Sequence, residues 1–266
     1  MKILLTIIIL SLSVTVIGQT KTLYNVTNPN GDTSFWFKYQ NIVIHDLALL
    51  RLDSSTLTYH FRVWKTNQVL DIWQNSDSSY SAQLTCWVTE RTPAKEVPTD
   101  RTLIERKIFS KDTVKAIHNF VTTSEINKLP TDNSISGWKH GFDGVTYIIE
   151  FATPRSYSFK TYWTPEAQDT SLKEAKFLQA FVSNIFDIAN GKETWSNFEK
   201  SIPYECYNVG GTIRCKVLTK KQKRHYAKER KNYRQQKYLQ KQGRTFEHQL
   251  SATISSSSGS TFNVQL

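Results

Sequence analysis

All seven tryptophans of this 266-residue chain lie between Trp36 and Trp195. The basic residues are segregated the other way. Residues 214–244 hold Arg214, Lys216, Lys220, Lys221, Lys223, Arg224, Lys228, Arg230, Lys231, Arg234, Lys237, Lys241 and Arg244 against one acid, Glu229. That segment carries +12 of a formal total of +11, so the rest of the chain stands at −1. A core needs apolar surface to remove from water, so it must form within the tryptophan-bearing stretch. The last seventy residues, poor in aliphatics, cannot bury much. The high isoelectric point therefore belongs to a tail on a nearly neutral body. This division predicts an α+β body over 19–200, a β-hairpin over 201–218, a basic helical arm over 219–244 and a disordered, Ser-rich tail over 245–266.

The first eighteen residues have the layout of a secretory signal peptide. Lys2 supplies the positive start, Ile3 to Leu10 is apolar apart from Thr6, and Val16-Ile17-Gly18 precedes a cut at Gln19. No Cys follows that site for lipid attachment. No later apolar run approaches the roughly 20 residues that a membrane-spanning helix needs. These features predict an exported protein, periplasmic, outer-envelope associated or secreted, with no transmembrane span after cleavage.

Within the body, aromatic and β-branched residues over 35–44 predict a strand. Over 56–65, Leu57, Tyr59, Phe61 and Val63 alternate with Thr58, His60, Arg62 and Trp64. With Gln68–Trp73 and Tyr80–Glu90 this predicts an antiparallel meander. Thr102–Phe109 reads as a further strand, and Asp112–Asn127 as a helix capped by Asp112. Residues 143–163 read as a hairpin with a three-residue loop. That register would set Phe151 opposite Tyr157, Ile149 opposite Phe159 and Val145 opposite Trp163, and would place Glu150 on a polar face near Lys160. Ser171-Leu172-Lys173-Glu174 resembles a capping box. Behind it, Ala175, Leu178, Phe181, Val182, Ile185, Phe186 and Ala189 form an apolar stripe, stopped by Asn190-Gly191. The expected fold class is thus α+β: an antiparallel sheet packed against one long amphipathic helix and a shorter one, with a basic C-terminal helix.

Cys206 to Cys215 brackets a Gly210-Gly211 turn. Counting outward pairs Val209 with Thr212 and Cys206 with Cys215 at a non-hydrogen-bonded site, which suits a cross-strand disulfide in an exported protein. Cys86 then remains a single buried thiol.

Thr219–Gln242 has helical propensity and no Pro or Gly before Gly243. Its cations Lys220, Lys221, Lys223, Arg224, Lys228, Arg230, Lys231, Arg234, Lys237 and Lys241 point to a helix that projects from the body toward a polyanion. With export, the fitting partners are anionic envelope lipid, anionic glycan or an acidic protein, ahead of nucleic acid. The competing reading is a solvated helix that only aids solubility.

No metal-ligand His spacing, nucleophile elbow, phosphate-binding glycine loop or C-x-x-C occurs. No cofactor is therefore expected, and the chain reads as non-catalytic. The alternative is an envelope hydrolase built on Gly137-Trp138-Lys139-His140-Gly141-Phe142-Asp143-Gly144 and Glu150, with His140 as base, Asp143 as its orienter and Glu150 as a second carboxylate. The simpler reading of that segment is a Gly-rich hairpin loop. Phe61-Arg62-Val63-Trp64 with Val69-Leu70-Asp71-Ile72-Trp73, and Asp143–Glu150 with Tyr162-Trp163-Thr164-Pro165, resemble patterns in uncharacterised exported proteins of Gram-negative bacteria. The resemblance covers the body and implies compartment and a single-domain body, but no activity.

Overall fold

A computed structural model describes residues 20–28 and 30–257, with side chains omitted at Lys241 and over 243–257. The signal peptide predicted at 1–18 and the residues after Ser257 lie outside the described residues. Among the described residues, five α-helices and nine strands, paired antiparallel except for one parallel pair, give an α+β fold. The described chain forms two compact units. The first comprises 20–86 and 104–198, and the second joins 87–103 to the residues from Glu199 onward.

The first unit is built on β1 (Thr22–Tyr24), β2 (His60–Lys65), β3 (Gln68–Gln74), β6 (Thr146–Ala152), β7 (Ser156–Trp163) and most of β4 (Tyr80–Glu90) and β5 (Thr102–Ile108). The meander β2-β3-β4 forms as its turn residues indicate, and Asn67 takes the left-handed conformation its turn needs (φ 52°). β6 adds to the other side of β2, β7 to β6, and β1 runs parallel to β7. All of β2 before Lys65 is buried, so neither of its faces meets water.

The residues over 35–44 are a helix, not a strand: α1 spans Phe35–Asp46. The Ser34 hydroxyl accepts a hydrogen bond from the Phe37 amide and starts it. Phe37, Gln40, Ile44 and Leu47 recur at helical spacing and turn inward, with the Phe37 ring 5.4 Å from Phe159 and 6.1 Å from Tyr157. Phe35, Tyr39 and Ile42, also at helical spacing, stay exposed. Apolar groups on both sides of the helix hide its period, and β-propensity then points the wrong way.

The β6–β7 hairpin is shifted by one residue from the expected register. Phe151 lies opposite Ser158, Glu150 opposite Phe159, and Ala152 opposite Tyr157. The loop is Pro154-Arg155, closed by the Thr153 amide donating to the Ser156 carbonyl at 2.9 Å. Since both faces of the pair are largely buried, apolar alternation does not discriminate between registers. In the observed one, Glu150 and Tyr157 share a face and the Tyr157 hydroxyl donates to Glu150 at 2.7 Å.

α2 (Lys111–Ser124) is capped by Ser110, two residues before the expected Asp112, and ends at Glu125 in the left-handed region. α3 (Lys173–Ile188) buries Ala175, Leu178, Phe181, Val182, Ile185 and Phe186, with Phe181 against Phe61. Its capping box does not form, because the Ser171 amide and hydroxyl both donate to Asp169. The helix is therefore shorter than its pattern suggests, about 24 Å at 1.5 Å per residue. α4 (Gly191–Ser201) follows directly.

In the second unit, β8 (Cys206–Val209) pairs with Thr89 and Glu90 and with β9 (Thr212–Cys215). The hairpin has the register read from its Gly-Gly turn, and Cys206 and Cys215 form a disulfide with Cα atoms 4.1 Å apart. Cys86, in the first unit, is a buried free thiol whose burial raises its pKa to about 11. α5 (Lys220–Ser257) runs past Gly243, where the arm was expected to stop, and takes in 245–257 of the segment read as disordered. One Gly costs only about 1 kcal/mol in a helix, and the residues around Gly243 are good helix formers.

Candidate functional site

The residues proposed for hydrolysis are not gathered. Glu150 is fully buried and occupied by Arg62, Trp64 and Tyr157. Lys160, expected near it, instead donates to the Asn127 and Leu129 carbonyls at 2.7 Å each. Asp143 is exposed in the 141–144 loop, with no side-chain hydrogen bond or ion pair among the described residues. The carboxylate nearest His140 is Asp132, whose Oδ2 is 3.9 Å from His140 Nδ1. Asp132 was missed by sequence reasoning. Its signal, the turn-forming run Thr131-Asp132-Asn133-Ser134, looks like any polar loop.

Glu150 belongs to a buried ionic row. Asp71, Arg62 and Glu150 are directly opposite one another across β3, β2 and β6, and each is at most 1% exposed. Arg62 Nε donates to Asp71 at 2.5 Å and its Nη2 to the Leu50 carbonyl at 3.1 Å. His60 lies 2.8 Å from Asp71, and Trp64 donates to Glu150 at 2.6 Å. Burial alone would raise the Asp71 pKa, but the Arg62 charge and the hydrogen bonds of His60 and Arg62 outweigh it and hold the carboxyl low. Burial and Glu150 push the Tyr157 phenol well above its usual range. Closed off from solvent, this row braces the fold and is not open to a ligand.

In the second unit the basic helix has two different sides. At 3.6 residues per turn, Tyr226, Arg230, Tyr233 and Lys237 form one stripe. Arg230 is 2% exposed and donates to Glu96 at 2.8 and 3.0 Å and to Glu205 at 3.1 Å. Arg234 donates to Glu96 at 2.9 Å, and Lys237 lies 3.7 Å from Asp100. Arg101, ion-paired to Glu90, lies over the Tyr204 and Tyr233 rings at 5.1 and 5.3 Å. The hydrogen bonds from Arg230, then those from Arg234, outweigh burial and lower the Glu96 pKa to about 2. Local acids therefore engage this side of the arm, which was expected to project from the body; net charge averages over where acids sit.

The second stripe is Lys220, Arg224, Lys228 and Lys231, flanked by Lys221 and Lys223. All six are exposed and none pairs with a carboxylate among the described residues. Of the ten cations singled out for anion binding, three are thus engaged internally and six are open. The side chain of Lys241 lies outside the described residues.

Among the described residues no helix is long and apolar enough to cross a membrane, and no group of three His, Cys, Asp or Glu side chains could hold a metal ion. No protein-family model matches the chain, and no curated protein is significantly similar to it.

Proposed function

We propose that this is a non-catalytic exported protein of the cell envelope that attaches to an anionic surface through the open stripe of its basic helix. The carrying observation is the division of α5 into two stripes. Arg230 and Arg234 are held by Glu96 and Glu205, so the helix is anchored, while Lys220, Arg224, Lys228 and Lys231 present four charges along one line. An anchored row of cations loses less freedom on binding than a loose one. In this reading α3 and α2 are the long and short helices of the sheet and α5 is the arm. The apolar start and the small residue before Gln19 support export, as does a disulfide of the kind that persists in oxidising compartments.

The test is binding of the full-length chain to vesicles with and without acidic lipid, to an anionic polysaccharide and to duplex DNA, at low and high salt. Binding to the lipid or polysaccharide that weakens with salt is expected, since screening shortens to about 3 Å at 1 M salt. Binding to uncharged vesicles alone, or DNA as the preferred partner, would overturn the reading.

A further inference from the structure

The first unit contains a cavity of about 250 Å³ between the 131–144 segment, α1 and the ends of β6 and β7. Its walls include three aromatic rings, Trp163, Trp36 and the wholly exposed Phe142. Its polar lining includes Asn133, His140 and Thr146. Their side chains make no hydrogen bond among the described residues, save the 3.9 Å approach of His140 Nδ1 to Asp132, and the Trp163 indole N–H is likewise unused. The cavity therefore offers an amide, an imidazole nitrogen and a hydroxyl beside flat apolar rings.

Its one carboxylate is already satisfied. Asp132 Oδ1 accepts from the Asn133 amide at 2.8 Å and the Thr161 hydroxyl at 3.0 Å, and Oδ2 from the Trp163 amide at 2.9 Å. Such a carboxylate fixes the walls, offers little to a cation and repels an anion. The loop is pressed onto Trp163 by its glycines: a Cβ at Gly141 would stand 2.7 Å from indole ring carbons. The indole is thereby held in place at the cavity.

We propose that this cavity binds one neutral pyranose ring of a sugar or glycan end. A pyranose has an apolar C–H face that lies against an aromatic ring and equatorial hydroxyls that both donate and accept. The free groups match that need, and a charged ligand finds no open counter-charge. This site is independent of the basic stripe.

The full-length protein titrated with glucose, N-acetylglucosamine and their β-1,4-linked dimers, followed by tryptophan fluorescence and calorimetry, tests the assignment. A saturable response to at least one sugar is expected; the acetylated arm reports whether an acetamido group fits, and the dimers whether a chain end does. Asn133→Ala and Phe142→Ala change exposed side chains without hydrogen bonds, so both should keep the wild-type unfolding midpoint. Each should weaken binding about tenfold, the value of one lost hydrogen bond or ring contact. No saturable response to any of the four sugars, or undiminished affinity in both variants, overturns the proposal.

Discussion

Arg62 is the residue on which the interior depends most. Among the described residues it is the only cation between two carboxylates that water does not reach. Arg62→Ala would leave Asp71 and Glu150 buried without it, so a loss of about 3–5 kcal/mol in unfolding free energy is expected from urea denaturation. Glu150→Gln removes one charge but keeps acceptor and shape, and should cost less. The strand alternation around Arg62 was legible in the sequence, but the burial of its polar side was not. That side is met by the Leu50 carbonyl at Arg62 and, over β7, by Phe37 of α1, and α1 reads as a strand because Phe35, Tyr39 and Ile42 blur its period. The cysteines were legible, because a Gly-Gly turn fixes their register locally. After unfolding without reductant, thiol labelling should find one reactive group, Cys86, and three would contradict the disulfide. Losing the bridge should cost roughly 2–3 kcal/mol by chain entropy.

At the scale of elements, the register of β6–β7 and the placement of α5 were set by polar pairs distant in sequence, which periodicity does not report. Glu150 meets Arg62 across 88 positions and Arg230 meets Glu96 across 134. The hold on α5 should weaken when Glu96 is neutralised. Glu96→Gln is expected to raise hydrogen exchange over 226–237 several-fold, because Arg230 would keep only Glu205 as a charged partner. Acid should act in the same direction. The folded carboxyl titrates near 2, below its ordinary value of 4.5, so its contribution is full above about pH 4.5 and declines as the pH falls toward 2. Exchange that is unchanged by Glu96→Gln would show that the helix is held by its tyrosines instead. α3 is the apolar counterpart. Its stripe was fully legible because Leu178, Phe181, Val182 and Ile185 bury one side. Phe181→Ala should cost about 3–5 kcal/mol.

For the whole molecule, the segregation of tryptophans from cations in the sequence located the core, and the succession of strand-period and helix-period segments indicated the α+β class. Neither revealed that residues 87–103 group with the hairpin and the basic helix, since that grouping rests on Thr89 and Glu90 pairing with β8 and on Glu96 and Asp100 meeting cations of α5. The site residues read from the Gly-rich loop were only partly informative. His140 does line a cavity, yet with Asp132 rather than Asp143 or Glu150. In the proposed function, surface attachment depends on the open stripe and not on the clamped one, which would separate two roles of the helix. The most direct measurement is co-sedimentation with acidic vesicles at low and high salt, comparing the full-length chain with the combined Lys220→Glu, Arg224→Glu, Lys228→Glu and Lys231→Glu variant. The four positions are exposed and unpaired, so the variant should fold normally. The wild type should bind at low salt and be released at high salt, and the variant should bind at neither. Equal binding by both proteins, or binding by the wild type that salt does not weaken, would contradict attachment through this stripe.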